Sequence, residues 1–220
     1  TQVLTASDDL TAKLWDANTG QMIRTFAGHD GRVTSAIFSP DGKYVFTASG
    51  DKTARMWDAA TAKQLHVFKG YEQDKRFVGH QWGVLSLAYW QDKDGQQKRL
   101  ITGSADNTAC IWDVDSEKVL QTLAGHTAAV AAVAFAPDGL RVMTGSQDDL
   151  AKLWDATKGK EILSLKAHSQ EVTAVSFSPN GRYVLTASRD GRAILWLATP
   201  WRDATGGAET AKNLTAVEAK

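Results

Sequence analysis

The sequence has little of three things that define many classes of protein: cysteine, net charge and long apolar runs. Cys110 is the single cysteine, so no internal disulfide can form, which fits a reducing compartment and predicts a cytoplasmic location. Lysine and arginine number 25, as do aspartate and glutamate, so no net charge draws the chain to nucleic acid. The longest apolar runs, such as residues 128–136, fall short of the roughly 20 residues that span a bilayer. A nucleic-acid partner is therefore disfavoured, and no membrane span is predicted.

What the chain has in quantity is repetition. Five tryptophans recur at steps of 42, 55, 42 and 42 residues, at positions Trp15, Trp57, Trp112, Trp154 and Trp196. A fixed period in this range is typical of a repeat fold. The step of 55 is one period lengthened by insertions. Because an active site needs each of its groups once, the repetition indicates architecture.

Each repeat carries the same polar residues at the same distance from its tryptophan. An aspartate stands six residues before the Trp, at Asp9, Asp51, Asp106, Asp148 and Asp190. A histidine follows three of the tryptophans by 14 residues, at His29, His126 and His168. After Trp57 that place is Tyr71, and His80 comes nine residues later.

Short runs rich in Val, Ile, Thr and Phe fill each period, and turn signals separate them, which is typical of strands. One unit reads RVTSAIFS, the turn PDGK, YVFTAS, the turn GDK, ARMWDA and then QLHVFK. Pro-Asp-Gly suits a tight hairpin because proline presets φ and glycine accepts positive φ. The pattern predicts four strands per repeat, here lettered a to d in chain order. Because such a unit cannot bury both faces alone, the units are expected to stack.

These motifs resemble the WD-repeat β-propeller family, in which four-stranded antiparallel blades circle a channel. The resemblance covers nearly the whole chain, with about five blades, and implies an all-β fold. It also implies a buried tetrad of His, Ser or Thr, Asp and Trp in each blade, where hydrogen bonds offset the desolvation of the aspartate. With serine taken as the hydroxyl residue, the expected tetrads are His29, Ser49, Asp51 and Trp57; His80, Ser104, Asp106 and Trp112; His126, Ser146, Asp148 and Trp154; His168, Ser188, Asp190 and Trp196. These histidines are expected to be structural.

The same residue types invite two other interpretations, a catalytic triad and a metal site. Acid–base catalysis has no use for four equivalent copies. We therefore predict no catalytic residue, no metal and no cofactor. Cys110 is expected to act as a small buried hydrophobe.

The register also predicts where blades begin and end within one domain. The expected divisions are a partial first blade over 1–28 (strands b–d), blades over 29–69, 80–125 and 126–167, an inserted loop over 70–79, a blade over 168–197 (strands a–c) and an irregular tail over 198–220. A second insertion of four residues lies within 89–100. Either insertion is a binding loop or neutral drift in loop length.

The two ends of the sequence leave the number of blades open. NLTAVEAK at residues 213–220 resembles EVTAVSFS at residues 171–178, so 213–219 could supply an inner strand that completes the first blade. That arrangement would close a five-bladed ring. The alternative, which we favour, is a piece of a longer propeller or a chain finished by other polypeptide, because exposed sheet edges need cover. In either case Thr210 occupies the histidine position of the first blade.

The family resemblance implies a non-enzymatic scaffold that binds other proteins or peptides. Recognition is expected on the face that carries the Gly-His turns, where residues differ between blades while the framework is constant. Arg and Trp are frequent binding anchors, so the predicted partner-binding residues are Arg32, Trp82 and Arg189, with Asp8, Gln147 and Glu171 as polar companions. The alternatives are a sensor or regulatory propeller within a larger multidomain protein, and an enzyme or small-ligand site at the channel mouth.

Overall fold

The chain folds as a succession of antiparallel β-sheets, as a computed structural model shows for residues 1–73, 76–198 and the backbone of 215–217. A three-stranded sheet of β1 (Gln2–Ala6), β2 (Thr11–Asp16) and β3 (Met22–Ala27) comes first. The second sheet contains β4 (Val33–Phe38), β5 (Tyr44–Ser49), β6 (Ala54–Asp58) and β7 (Gln64–Phe68). The prediction of an all-β fold of four-stranded antiparallel blades is confirmed.

Three more blades follow the same meander order. The hairpin of β8 (Tyr71–Gln73) and β9 (Arg76–Val78) precedes the third blade, which contains β10 (Val84–Gln91), β11 (Lys98–Ser104), β12 (Thr108–Asp113) and β13 (Val119–Ala124). The fourth contains β14 (Val130–Phe135), β15 (Arg141–Ser146), β16 (Ala151–Asp155) and β17 (Glu161–Leu165). The fifth contains β18 (Val172–Phe177), β19 (Tyr183–Ser188), β20 (Ala193–Leu197) and β21 (Thr215–Val217). No α-helix occurs in the described ranges.

Successive blades pack through one repeated contact. The tryptophan of one blade enters the same apolar cluster as residues from the blade before it, as Trp154 does with Ile101 and Ile111. At two interfaces the ring also meets a phenylalanine of the preceding blade, with centroids 6.0 Å apart for Phe26 and Trp57. Large aromatic side chains contribute strongly to burial. The core is thus divided into layers between blades, which is why one blade alone cannot be stable.

The inserted segment 70–79 is more ordered than an irregular loop. Tyr71 pairs with Val78 across the β8–β9 hairpin, and the Tyr71 hydroxyl accepts a hydrogen bond of 3.3 Å from the backbone N–H of Val119. Phe77 covers Gly70 so closely that a Cβ there would lie 2.0 Å from its ring. The hairpin is therefore docked on the outer strand of the third blade.

The second insertion lengthens β10 and β11, with Gln91 paired to Lys98. This extension brings Trp90 onto the fourth blade, where its indole N–H donates to the carbonyl of Pro137 at 3.1 Å. The Trp90 ring leaves no room for a Cβ at Gly139, which would lie 2.3 Å from it. The extension therefore adds a contact between the third and fourth blades.

We expect Trp90→Phe to lower the free energy of unfolding by about 1 kcal/mol, because it removes one interblade hydrogen bond and keeps an aromatic ring. Urea denaturation measures this. The matched control is Trp82→Phe, since Trp82 is 63% exposed and should tolerate the change. Equal losses at both positions would contradict an interblade role for Trp90.

The tail strand takes a different place from the one expected. Residues Thr215–Val217 pair with β20, with Leu195 opposite Val217, and so supply the outer strand of the fifth blade. They do not complete the first blade, because the outer edge of β20 is the position that a strand d fills in the second, third and fourth blades. The rest of the predicted strand over 213–219, and the predicted irregular segment 199–214, lie outside the described residues.

Candidate functional site

Four blades each contain a hydrogen-bonded tetrad. In it the aspartate bonds to the histidine, the histidine to a threonine, and the threonine to the tryptophan. In the second blade His29 Nδ1 lies 2.7 Å from Asp51 Oδ2, and His29 Nε2 lies 2.7 Å from Thr47 Oγ1. The indole N–H of Trp57 donates to the same hydroxyl at 2.8 Å. Trp57 and His29 are almost completely buried, so these bonds satisfy groups that water cannot reach.

The same tetrad recurs in the three blades that follow. The histidine–aspartate distances are 3.1, 2.8 and 3.0 Å, and the histidine–threonine distances are 2.7, 2.7 and 2.8 Å. The tryptophan–threonine distances are 2.7, 2.9 and 3.0 Å. The members of these tetrads are His80, Thr102, Asp106 and Trp112; His126, Thr144, Asp148 and Trp154; His168, Thr186, Asp190 and Trp196.

The structure places threonine, and not the serine expected from the sequence, between histidine and tryptophan. Ser49 instead donates to the carbonyl of Gly31 at 2.9 Å and accepts from the backbone N–H of Asp51 at 3.1 Å. A hydroxyl that bonds to the N–H two residues ahead forms a local turn. The other serines expected in tetrads, Ser104, Ser146 and Ser188, make the same two kinds of bond.

The turn between strands b and c holds the aspartate in place. In the second blade Lys52 has a positive φ of 73°, and Asp51 Oδ1 accepts hydrogen bonds from the N–H and the hydroxyl of Thr53 at 3.0 and 2.6 Å. The equivalent residue after each framework aspartate also has a positive φ; these are Leu10, Asn107, Asp149 and Gly191. Asn and Asp tolerate this conformation better than most residues, and Gly accepts it without strain.

The first blade differs because its tetrad is incomplete in the described residues. Trp15 donates to Thr5 at 2.8 Å, while Asp9 bonds to Lys13 at 2.7 Å and Thr11 at 2.6 Å instead of to a histidine. Thr210, which the register placed at the histidine position, lies outside the described residues. Asp9 is also exposed, so this blade provides an internal comparison for the other four.

Hydrogen bonding keeps the tetrad aspartates ionised. Burial alone favours the protonated acid, but the contacts with His29, Thr53 and the Asp30 N–H outweigh it and hold the pKa of Asp51 well below its usual value. In the same way, His80 and Thr108 lower the pKa of Asp106 to about 2 against the effect of burial. A carboxylate with several donors is stabilised in its charged form.

The histidines of two blades are driven in opposite directions. Burial lowers the pKa of both, and at His126 it prevails over the nearby Asp148, with Lys152 adding to the effect. At His80 the Cys110 sulfur and the Asp106 carboxylate outweigh burial and raise the pKa to about 9. The pKa of His80 therefore lies above its usual value, and that of His126 lies below it.

Stability should therefore depend on pH through the pair formed by His80 and Asp106. Because the pKa of His80 is raised from 6.5 to about 9, its contribution is present below pH 6.5 and is lost as pH rises toward 9. The contribution of Asp106 is present above its ordinary pKa of 3.8 and is lost as pH falls toward 2. NMR titration of the imidazoles should give a higher pKa for His80 than for His126, and Cys110→Ala should lower that of His80. Indistinguishable titrations would contradict this assignment.

Cys110, His80 and Asp106 lie together, yet the geometry does not make a nucleophilic site. Cys110 is fully buried, His80 is 2% exposed, and the remaining imidazole nitrogen bonds to Thr102. A catalytic nucleophile needs access to substrate and a base within reach. Among residues 1–73 and 76–198, no group of three His, Cys, Asp or Glu side chains is arranged to hold a metal ion.

The variable residues predicted to bind partners lie on the face that carries the histidine turns. In each of four blades a backbone hydrogen bond joins the residue before the framework aspartate to the residue before the inner strand. The pairs are Gly50 with Arg32 (2.9 Å), Ala105 with Gly83 (3.0 Å), Gln147 with Ala129 (2.9 Å) and Arg189 with Glu171 (3.1 Å). The framework therefore fixes the backbone while the side chains differ.

Five of the six predicted residues are exposed: Asp8, Arg32, Trp82, Gln147 and Arg189. Glu171 is half-buried and forms an ion pair with Arg189. Asp8 and Arg32 come from neighbouring blades and line one shallow cavity of about 600 Å³. The structure thus joins Arg189 and Glu171 in an ion pair and places Asp8 and Arg32 at one cavity, while Trp82 and Gln147 lie apart from both.

Sequence reasoning missed Phe77, which the inserted hairpin presents beside Trp82. Both line a groove of about 370 Å³ on the third blade. Phe77 is 47% exposed and Trp82 is 63% exposed. The signal available in the sequence was a large apolar residue in an otherwise polar insertion, YEQDKRFVG.

The repeated blades agree with the comparisons with known proteins. The family model described as "WD domain, G-beta repeat" matches residues 20–58, 63–113, 117–155 and 159–196. The chain belongs to the WD-repeat family. Domains of this family generally mediate protein–protein interaction and are generally non-enzymatic.

Curated relatives are WD-repeat proteins of greater length. Nuclear distribution protein PAC1 of Arthroderma benhamiae is 31% identical over 142 residues, covering 62% of this chain and 29% of that protein. The probable E3 ubiquitin ligase complex SCF subunit sconB of Talaromyces stipitatus is 32% identical over 140 residues, covering 64% and 19%. Coatomer subunit beta'-2 of Arabidopsis thaliana is 46% identical over 59 residues, covering 27% and 6%. The chain thus spans less than a third of each of these relatives.

Within the described ranges there is no helix with the length and apolarity needed to cross a bilayer.

Proposed function

We propose that this protein is a non-enzymatic platform that binds other proteins or peptides through the face of the histidine turns. The observation that carries the proposal is the contrast on that face: the backbone is held identically from blade to blade, while the exposed side chains differ. A rigid frame lowers the cost of ordering on association. Arg32, Trp82 and Arg189 are the proposed anchors, and Asp8, Gln147 and Glu171 are the proposed polar companions.

Charge pairing supports a role for this face in recognition. The side chain of Arg189 is 71% exposed even while it contacts Glu171, so its guanidinium remains available to a partner carboxylate. Exposed ion pairs contribute little to folding. A surface that adds little stability and carries arginine and tryptophan is suited to binding.

The names of two relatives favour protein partners: one is a subunit of an E3 ubiquitin ligase complex and another is a coatomer subunit. We extend to this chain only the general role, that of one member of a protein assembly. A cytoplasmic location, inferred from the single cysteine, belongs to the same proposal.

The test is affinity capture from an extract of the source organism, quantified by mass spectrometry. We expect the double variant Arg32→Ala/Arg189→Ala to lose specific partners at least about tenfold without a change in melting temperature. The matched control is Lys43→Ala/Arg182→Ala, which removes two exposed charges from turns at the opposite ends of the strands. Equal losses for both variants, or none for either, would overturn the proposal.

A further inference from the structure

The third blade carries a groove that none of the comparisons assigns. We define the hairpin groove by Phe77 of the inserted hairpin, Gln81 and Trp82 of the histidine turn, Asp106 and Asn107 of the next turn, and Thr122 of the outer strand. We propose that the hairpin groove binds one uncharged, apolar side chain, such as Phe or Leu, of an extended segment of a partner protein. This inference rests on the proposed function and names the chemistry of one part of that face.

The aromatic walls belong to this blade alone in the described chain. Trp82 stands two residues after its histidine, where the other blades have Gly31, Ala128 and Gln170. Phe77 comes from an insertion that the other described blades lack. The groove is therefore not part of the repeated framework, and its two large exposed rings need an explanation beyond folding.

The charge of the groove excludes an ionic ligand. Among the described residues that line it, Asp106 is the only carboxylate. Both of its oxygens are already engaged: Oδ2 with the Gln81 N–H at 2.9 Å and His80 at 3.1 Å, and Oδ1 with the Thr108 N–H at 3.0 Å and hydroxyl at 2.6 Å. His80 contacts Asp106 from behind at 3.1 Å, and its pKa, raised to about 9, favours the charged form that balances this carboxylate. A charged side chain entering the groove would lose hydration and find no free partner.

The size and rigidity of the groove suit one side chain with its flanking backbone. Its volume of about 370 Å³ is near the lower end of the range for ligand sites. Phe77 is held against Gly70, and the hairpin is tied to the outer strand by the Tyr71–Val119 hydrogen bond. Gln81 and Asn107 add carboxamides, which can hydrogen-bond to a peptide backbone. The walls are thus preorganised before a partner arrives.

NMR titration of the ¹⁵N-labelled 220-residue protein tests the inference. The probes are N-acetyl-L-phenylalaninamide and N-acetyl-L-leucinamide, with N-acetyl-L-lysinamide and N-acetyl-L-glutamic acid α-amide as charged counterparts. We expect saturable shifts of the Trp82 indole N–H and the Asn107 and Thr122 amides with the apolar probes, and binding at least about tenfold weaker with the charged ones.

The variants Trp82→Ala and Phe77→Ser should each weaken apolar-probe binding about tenfold, whereas Leu120→Ala should leave it unchanged. Leu120 is a matched control because it is 45% exposed on the same blade. Equal binding of charged probes, no saturable shift up to the solubility limit, or unchanged binding in both groove variants would overturn the inference. If capture of partners still depends on Arg32 and Arg189, such a failure removes only the hairpin groove and leaves the proposed function standing.

Discussion

Asp106→Ala should lower the free energy of unfolding by about 3 kcal/mol, because it leaves the buried His80 imidazole and several neighbouring donors without their acceptor. Four donors lose their partner: the His80 imidazole, the Gln81 N–H, and the N–H and hydroxyl of Thr108. The imidazole also loses the carboxylate that favours its charged form. Urea denaturation at pH 7 measures the loss, and NMR should show a lower pKa for His80.

The first blade supplies the matched control for this substitution. Asp9 has the same place in its repeat as Asp106, but it is exposed and its partners, Lys13 and Thr11, also reach water. Asp9→Ala should therefore change stability far less, since surface substitutions usually have small effects. A loss at Asp9 as large as that at Asp106 would mean that the turn itself, and not the buried histidine contact, accounts for the effect.

The period of the tryptophans was sufficient to predict the strands and their order. A residue's distance from its Trp sets its place in the blade, so Phe46, Ile101 and Met143 all lie in interblade clusters. These positions share one distance from their tryptophans and differ only in side chain. Regular local pairing therefore made the fold predictable.

Two features that sequence reasoning missed, the position of β21 and the hairpin groove, depend on contacts between segments. The position of β21 depends on which sheet edge is free, and residues 215–217 have no local pattern that distinguishes an inner from an outer strand. The hairpin groove depends on where Phe77 of the insertion docks relative to Trp82. The choice of serine over threonine as the tetrad hydroxyl failed for another reason. Two residues that stand two positions apart lie on the same face of a strand, so the strand pattern does not distinguish them.

Thr144→Val should be as harmful as the loss of an aspartate, with about 2–4 kcal/mol lost from the free energy of unfolding. The Thr144 hydroxyl is fully buried, and it bonds both to His126 Nε2 and to the Trp154 indole N–H. Valine keeps the shape of the side chain and removes the oxygen. Two buried polar groups would then be unsatisfied at once, and packing would be nearly unchanged.

Two further variants separate the threonine's role from that of its serine neighbour. Ser146→Ala removes bonds to the Ala128 carbonyl and the Asp148 N–H, so it should destabilise the turn without moving the Trp154 indole resonance. Thr144→Val should shift that resonance and change the titration of His126. In the first blade, Thr5→Val should cost less, because Thr5 is exposed and bonds to Trp15 without a histidine. The opposite result, in which Ser146→Ala moves the Trp154 indole signal and Thr144→Val does not, would contradict this assignment. The serine hydroxyl would then have to be the group that links histidine to tryptophan, since only a group bonded to both rings can perturb both at once.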